Sequence, residues 1–310
     1  MISVVLPAYK AKFLACAIDS ILNQSYSKFE LVIINDASPE DLTTIVSQYK
    51  DSRIKYHVNE KNIGSHNLVE NWNKCIQYAS GDFIVLASDD DVYDPKYLET
   101  MVSLSKKYPD IDLFHCRVAV IDEEGKTIHW GTSMAEYESD IDFIYQRAIN
   151  RRTQVISDFM VKKTALEKIH GFKNYPKAWY SDEMTWYLIA KNKGVICAAE
   201  TLFYWRSSSK NISSTNTDTL QKAEASYLYY NDMKNLIMNL SPHNKCDKYL
   251  LSILKERIHD SIATQLSYDL EKSKWNLIIQ ILGNKQYRNL LSKKFYIKIL
   301  LGKFRLLLKL

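Results

Sequence analysis

Short apolar runs alternate with amphipathic stretches through residues 1–110. Each apolar run is bounded by polar or turn residues, as is typical of a buried strand. The stretches between them repeat apolar residues every three or four positions, as Leu14, Ile18 and Ile21 do, which indicates helices. The pattern predicts strands at 2–6, 29–34, 54–58 and 83–86, and helices at about 12–24, 40–49, 65–79 and 95–107.

Strands that alternate with helices predict a mostly parallel, Rossmann-like sheet with helices on both faces. From residue 112 the pattern changes to strands joined by turns, which predicts an antiparallel half. Its strands are expected at 113–121, 127–130, 155–161, 195–199 and 202–205, with short helices beginning near Thr164 and Glu183. We therefore predict an α/β fold in three parts, which are residues 1–110, residues 111–219 and a helical C-terminal extension, 220–310.

Polar residues follow each predicted parallel strand. The turn at 7–9 follows the first strand, Asp36 the second, Asn62 comes after the third, and three aspartates at 89–91 follow the fourth. The carboxyl ends of parallel strands bind ligands, so these residues are expected at one edge of the sheet. Three adjacent carboxylates repel one another unless a cation shares the site, which favours a divalent metal. A solvated acidic turn, with Asp94 capping the next helix, is the alternative.

The composition is that of a globular protein, with 310 residues, 46% hydrophobic and 25% charged. Its five cysteines include no close pair, which fits neither a disulfide framework nor a zinc site and suits a reducing cytoplasm. The N-terminal apolar run is too short for a signal peptide, and no run approaches the ~18 residues of a membrane span. We therefore expect a cytoplasmic protein that is not integral to a membrane.

The net charge of +5 is unevenly distributed along the chain. Residues 272–310 carry ten Lys or Arg and no Asp or Glu, whereas residues 1–271 sum to −5. A nucleic-acid-binding protein would spread its positive charge over the fold, so no nucleic acid partner is expected.

The basic tail predicts an amphipathic helix that docks on an anionic membrane surface. Packing on the protein's own core, with a solvated basic edge, is the alternative. The predicted basic face holds Lys294, Lys298, Arg305 and Lys309, and the predicted apolar face holds Phe295, Ile299, Leu306 and Leu310.

Several motifs occur in a fixed order along the first two thirds of the chain. They read SVVLPAY at 3–9, SILNQSY at 20–26, ELVIINDAS at 30–38, NIG at 62–64 and GDFIVLASDDD at 81–91, followed by SD at 181–182 and RSSSKNIS at 206–213. This ordered set closely resembles the family-2 glycosyltransferases with a GT-A fold. The resemblance implies a nucleotide-sugar-binding half at 1–110 and an acceptor-binding half at 111–219.

The resemblance also implies which residues bind the donor, expected to be a UDP-sugar, and a Mn²⁺ or Mg²⁺ ion. The family's metal motif can be placed on the acidic cluster in two registers, and Asp90 is acidic in both. Asp90 is therefore the first metal ligand and Asp91 is assigned with it, although the order of Asp89 and Asp91 stays open. The implied nucleotide-binding residues are Pro7, Ala8, Tyr9, Asp36, Asn62, Asp89 and Arg206.

The family's general base falls on Asp182, with Glu183 in reserve and Ser181 in place of a preceding acid. From the residues alone, Asp182 could instead cap the helix that follows. Arg206 and Lys210 could clamp a diphosphate or be solvated loop charges.

The resemblance implies an inverting, metal-dependent transfer of a sugar to a hydroxyl of a saccharide or lipid-linked acceptor, in cell-surface polysaccharide or glycan synthesis. The enzyme is expected on the inner face of the membrane as a peripheral protein. Because Ser88 and Ser181 depart from the family's acidic pattern, a catalytically inactive nucleotide-binding module at the membrane surface is the alternative.

Overall fold

One mixed sheet organises the residues that the computed structural model describes, which are 1–208 and 218–307. The strands are β1 Ile2–Ala8, β2 Phe29–Asn35, β3 Ile54–Val58, β4 Phe83–Leu86, β5 Val92–Tyr93, β6 Leu113–Ile121, β7 Thr127–Trp130, β8 Tyr137–Glu138, β9 Phe159–Lys162 and β10 Val195–Arg206. Their order in the sheet is β3-β2-β1-β4-β9-β6-β10-β5, with β7 beside β6 and β8 beside β10.

Strand direction changes once the chain leaves its first half. Strands β1 to β4 are parallel, while β9 runs antiparallel to both β4 and β6, and β5 antiparallel to β10. The first four strands are parallel and antiparallel strands follow, as predicted, but β6 and β10 of the second half run parallel to each other. Every residue of β2 is buried, including the polar Glu30 and Asn35, because this parallel strand is covered on both faces of the sheet.

Helices cover both faces of the sheet. They are α1 Leu14–Leu22, α2 Leu42–Ser47, α3 Leu68–Cys75, α4 Tyr97–Lys107, α5 Asp140–Ala148, α6 Lys163–Lys168, α7 Ser181–Ala190, α8 Thr219–Met238, α9 Lys245–Lys272, α10 Trp275–Gly283, α11 Lys285–Arg288 and α12 Lys293–Leu307. The core on one face of the sheet contains Leu14 of α1, Leu42 of α2 and Met101 of α4. The core on the other face contains Val69 of α3 and Phe143 of α5.

Local hydrogen bonds set several boundaries that differ from the prediction. The strand predicted from 155 begins at Phe159, because the Asp158 carboxylate accepts a hydrogen bond from the Val155 backbone N–H at 2.7 Å and closes a 3-10 turn. The two strands predicted at 195–205 are one strand, β10, in which register shifts absorb the irregularity.

The C-terminal helices form a layer in which α8 and α12 both pack on α9. Phe295 and Ile299 of α12 are only 5% and 2% exposed and share a core with Leu266 and Leu270 of α9. The prediction that these two residues face lipid is therefore wrong, and core packing accounts for them. The side chains at 305, 306, 309 and 310 lie outside the part that the structure describes.

No helix among the described residues is both long and apolar enough to cross a membrane. The sheet passes without a break from β4 to β9 and β6. A functional boundary near residue 110 stays a prediction.

Candidate active site

A cleft of about 610 Å³ opens at the carboxyl ends of the parallel strands. Its wall brings together residues from the ends of β1, β2 and β4 and from the segment after β3. Lys177 and Asp218, from the second half of the chain, lie on the same wall. Six residues predicted from the sequence line the cleft, namely Pro7, Ala8, Tyr9, Asp36, Asn62 and Asp89.

Asp36 organises one side of the cleft. Its buried carboxylate accepts hydrogen bonds from Asn59 Nδ2 at 2.7 Å and from the backbone N–H groups of Ile63 at 2.9 Å and Gly64 at 2.7 Å. A Cβ at position 64 would lie 2.9 Å from Asp36 Oδ2, so glycine allows this close approach. Asn62 accepts from the Ser65 N–H at 2.8 Å, which is the contact of an ordinary turn.

Asp89 lines the cleft at its acidic edge, and Asp90 lies beside it and shares the ammonium group of Lys10, which also lines the cleft. Asp89 Oδ2 accepts from the backbone N–H groups of Tyr9 at 2.8 Å and Lys10 at 2.7 Å, which ties the first turn to the end of β4. Asp90 accepts from Ser88 Oγ and from Lys10 Nζ, both at 2.5 Å. Lys10 was not identified from the sequence, because nothing in the sequence around a lysine in a turn indicates which distant carboxylates will pair with it.

Asp91 faces strand β10 instead of the cleft. Its carboxylate accepts from the Arg206 backbone N–H at 2.8 Å. Burial, and then the charge of Asp90, raises the pKa of Asp91 well above its usual value. These contacts indicate a structural role for Asp91, so its assignment as a metal ligand stays a prediction without support from its surroundings.

Arg206 is buried and its guanidinium contacts the protein on several sides. It donates to the Asp90 carbonyl at 2.8 Å and to the Asp122 and Glu123 carbonyls at 3.0 and 3.1 Å. The guanidinium carbon also lies 4.4 Å from the centre of the Phe13 ring. These contacts hold the acidic turn in place, and binding of a diphosphate by Arg206 stays a prediction. Lys210 lies outside the described residues.

The acidic edge has the donor atoms that a hard divalent cation prefers. In the described residues, no three His, Cys, Asp or Glu side chains are arranged to hold a metal. Mg²⁺ commonly binds through one or two carboxylates, with water and phosphate oxygens completing its shell. The Lys10 ammonium, 2.5 Å from Asp90 Oδ2 and 3.5 Å from Asp89 Oδ1, already places positive charge there. Asp89 and Asp90 therefore fit a metal ion.

Asp182 lies in the first turn of α7, which begins at Ser181. The N-cap residue is Tyr180, in a left-handed conformation and without a side-chain cap, so the capping interpretation of Asp182 is wrong. Lys177, Ala178 and Tyr180 all have positive φ. Such residues cost roughly 1–3 kcal/mol each and concentrate at functional sites. This strained segment leads from the cleft wall at Lys177 into the turn that carries Asp182.

Asp182 and its neighbour Glu183 lie in different environments. The Glu183 carboxylate is occupied on both oxygens, by Arg147 Nε at 2.7 Å and by the Tyr229 hydroxyl. Asp182 is half-buried, and burial, followed by the charge of Glu183, raises its pKa to about 6. A carboxylate with this pKa can accept a proton near neutral pH, so Asp182 is better suited than Glu183 to act as a base.

A buried Cys–His–Asp arrangement lies under the sheet, away from the cleft. Cys197 Sγ is 2.9 Å from His115 Nε2, and His115 Nδ1 is 3.2 Å from Asp158 Oδ2. All three side chains are almost fully inaccessible. Burial raises the pKa of the Cys197 thiol and lowers the pKa of His115, which opposes formation of a thiolate–imidazolium pair. This arrangement is a neutral packing network and not a nucleophilic site.

Comparison with known proteins gives consistent results. The family model described as glycosyl transferase family 2 matches residues 3–170. The putative glycosyltransferase EpsE of Bacillus subtilis (strain 168) is 34% identical over 128 residues, which are 40% of this chain and 45% of EpsE. The Escherichia coli UDP-Glc:alpha-D-GlcNAc-diphosphoundecaprenol beta-1,3-glucosyltransferase WfgD is 32% identical over 108 residues, 34% of this chain and 42% of WfgD. The chain thus matches less than half the length of either relative.

Solved structures share the fold. S. aureus TarS 1-349 in complex with UDP-GlcNAc superimposes with a TM-score of 0.71 at 17% identity, over 94% of this chain and 79% of that chain. The mannosyltransferase PcManGT from Pyrobaculum calidifontis, in complex with GDP-Man and Mn²⁺, gives a TM-score of 0.59 at 14% identity, over 98% and 86%. The predicted GT-A type fold is confirmed.

Proposed function

Because the chain belongs to glycosyl transferase family 2, we propose that it transfers a sugar, with inversion, from a nucleoside-diphosphate donor to a hydroxyl of a saccharide or lipid-linked acceptor. One observation carries this proposal: the acidic pair Asp89 and Asp90 lies at the edge of the cleft that Asp36 shapes. The UDP-GlcNAc complex of TarS favours a UDP-sugar as donor, and the name of WfgD favours a lipid-linked acceptor.

The nucleoside is proposed to bind between the first turn and the Asp36 loop. Pro7, Ala8 and Tyr9 line the cleft from the first turn, and Asn62 lines it from the segment after β3. A carboxylate has about four acceptor positions, of which three on Asp36 are used within the protein. The remaining position can accept a hydrogen bond from the base or ribose.

The diphosphate is proposed to lie at the acidic edge, where Asp90, supported by Asp89, would hold Mn²⁺ or Mg²⁺. A bound divalent ion supplies Lewis-acid stabilisation of the negative charge that builds on the leaving diphosphate. The Mn²⁺ in the PcManGT complex supports a metal-dependent family chemistry. Arg206 contributes by fixing the backbone of Asp90, whose carbonyl accepts its Nε–H.

Asp182 is proposed to take the proton of the acceptor hydroxyl. Direct displacement with inversion requires one base on the acceptor side, and a base works best when its pKa lies near the operating pH. Glu183 assists from its fixed position between Arg147 and Tyr229, because its charge helps to raise the pKa of Asp182 to about 6.

This assignment predicts the pH dependence of the reaction. Asp182 must be ionised to accept a proton, so kcat/KM should fall as the pH drops through about 6. Glu183→Gln removes the neighbouring negative charge, which should lower the pKa of Asp182 and move this acid limb to lower pH. Full pH profiles of both proteins measure the shift. An acid limb that stays in place in Glu183→Gln contradicts the assignment.

Donor binding can be tested without knowing the acceptor. The full chain would be heated with each member of a panel of UDP- and GDP-sugars, with Mn²⁺ or with chelator. A ligand that binds only the folded protein stabilises it by RT ln(1 + [L]/Kd), about 2.7 kcal/mol at 100 times Kd. We expect at least one UDP-sugar to raise the melting temperature with Mn²⁺ and much less with chelator. No stabilisation by any nucleotide sugar would refute the donor assignment.

We also propose that the C-terminal helices attach the enzyme, as a cytoplasmic peripheral protein, to an anionic membrane surface. The apolar residues that remain exposed form a stripe on α12, with Ile297, Leu300 and Leu301 between 46% and 59% exposed. Lys298 is exposed on the same helix, and so is Lys294, whose ammonium pairs with Asp260. Each basic residue near an anionic leaflet contributes about 1 kcal/mol, so several of them with an apolar stripe suffice for reversible attachment.

Because the apolar stripe on α12 is exposed, its residues can be replaced to test membrane binding without disturbing the hydrophobic core. Replacing Ile297, Leu300 and Leu301 by Ser should leave folding unchanged but reduce co-sedimentation with phosphatidylserine-containing vesicles severalfold. Ile128→Ser with Trp130→Ser, at comparably exposed positions on β7, is the matched control. Binding that is equal for all variants, or insensitive to anionic lipid and salt, would contradict membrane attachment through α12.

A further inference from the structure

Lys10 lies at the end of the first turn and contacts two of the three aspartates at 89–91. Its backbone N–H donates to Asp89 Oδ2 at 2.7 Å, and its ammonium group lies 2.5 Å from Asp90 Oδ2 and 3.5 Å from Asp89 Oδ1. The side chain is 33% exposed and lines the cleft. One residue thus anchors the first turn through its backbone and neutralises both carboxylates through its side chain.

The ammonium uses the oxygen atoms that a metal ion would need. An ammonium group is a compact point charge on a flexible four-carbon stem. It can therefore leave the carboxylates while its backbone stays fixed by Asp89. In the cleft, the other group that would attract it is the diphosphate of a bound donor. The positive charges of the ammonium and of a metal ion at Asp90 Oδ2 would repel each other, so each disfavours binding of the other there.

We propose that Lys10 is a built-in counter-cation of the metal site. In the metal-free enzyme it pairs with Asp89 and Asp90, and on donor binding it moves to the diphosphate and releases the carboxylates for the metal. Nucleotide and metal therefore promote each other's binding, and the coupling is reciprocal, since linkage acts equally in both directions. This inference rests on the proposed assignment of the metal to Asp90 and of the nucleotide to the cleft.

The two halves of this proposal predict effects of opposite sign for Lys10→Met. Without the competing ammonium, Mn²⁺ alone should bind about tenfold more tightly than to the wild type. Without the cation that meets the diphosphate, UDP in the presence of chelator should bind about tenfold more weakly. Damage to the site would weaken both interactions, so the opposite signs distinguish loss of the counter-cation from loss of structure.

Isothermal titration calorimetry of the full chain with Mn²⁺ alone, UDP with chelator, and UDP with Mn²⁺ measures these effects. Lys12→Met is the matched control, because Lys12 lies two residues along the same turn but pairs with Glu123. It should behave as the wild type does. Asp90→Asn is included to identify the metal site independently.

The outcomes separate this inference from the proposed function. If Asp90→Asn abolishes Mn²⁺ binding but Lys10→Met leaves it unchanged or weaker, the counter-cation role is overturned and the metal assignment stands. Unchanged UDP binding by Lys10→Met in chelator overturns the transfer of Lys10 to the diphosphate. If no variant binds Mn²⁺, even with UDP present, both the metal assignment and the role of Lys10 fail.

Discussion

Replacing Asp182 by Asn is expected to lower turnover by about 10² or more while nucleotide affinity stays nearly unchanged. The amide keeps the size and shape of the side chain but cannot take a proton from the acceptor. Asp182 is not the N-cap residue of α7, and the amide oxygen of Asn can still accept the backbone hydrogen bonds that its carboxylate receives in the first turn, so the helix should not be disturbed. Steady-state kinetics with a working donor and acceptor, together with UDP calorimetry, measure the two quantities.

The same substitution is expected to stabilise the protein at neutral pH. The folded state raises the pKa of Asp182 to about 6, so ionising this carboxyl above that pH costs the folded state free energy. At about 1.4 kcal/mol per pKa unit, Asp182→Asn should add roughly 1–3 kcal/mol to the free energy of unfolding at pH 7. The gain should shrink as the pH falls through 6 and vanish near 4. Urea unfolding at pH 7 and at pH 4 measures it.

Glu183→Gln provides the comparison for the catalytic assignment. Glu183 is held by Arg147 and Tyr229, so its loss should cost stability and shift the pH profile but leave a functioning base. If turnover survives in Asp182→Asn and is lost in Glu183→Gln, the base is Glu183 and the assignment is wrong by one position.

Replacing Asp90 by Asn is expected to abolish Mn²⁺-dependent nucleotide binding while the fold stays intact. Of the two carboxylates that pair with Lys10, Asp90 makes the closer contact, at 2.5 Å against 3.5 Å for Asp89. An amide offers one neutral oxygen where a divalent ion needs a charged ligand. UDP calorimetry with Mn²⁺ and with chelator measures the change. Nucleotide affinity that is unchanged with Mn²⁺, or full activity in chelator, would contradict the metal assignment.

Asp91→Asn is the matched control for the acidic cluster. Since Asp91 accepts the Arg206 backbone N–H and faces β10, this substitution should change stability more than Mn²⁺ affinity. A variant at position 91 that folds normally and loses Mn²⁺ binding would instead support Asp91 as the second metal ligand.

Strands β4 and β6 were predictable because their apolar runs are buried in the sheet, whereas β3 and β7, which have no buried residue, were predictable from the turn residues that bound them. The bounds predicted at 54–58, 83–86, 113–121 and 127–130 agree with β3, β4, β6 and β7. Helix ends were less predictable, because they depend on which nearby polar side chain reaches a free N–H. Helix α2 begins at Leu42, two residues after the predicted start at about 40, since Asp41 accepts from the Thr44 N–H at 3.0 Å.

The candidate site was predictable where motifs follow strands directly, as with Asp36 and Asp89. Lys10, Arg147 and Tyr229 were missed because their roles depend on partners from distant parts of the chain. The prediction for the C-terminal tail was wrong for a different reason. An amphipathic pattern indicates that one face of a helix is buried, but it does not indicate which surface buries that face. In α12 that surface is α9, which covers Phe295 and Ile299.

Release of nucleoside diphosphate from UDP-sugars by the full chain with Mn²⁺ tests the proposed glycosyl transfer most directly. We expect that at least one UDP-sugar is consumed, that saccharide or lipid-linked acceptors accelerate its consumption, and that Asp182→Asn binds the same donor without consuming it. If the wild type binds UDP with Mn²⁺ but consumes no nucleotide sugar with any acceptor, the chain is a nucleotide-binding module and the catalytic claim is contradicted.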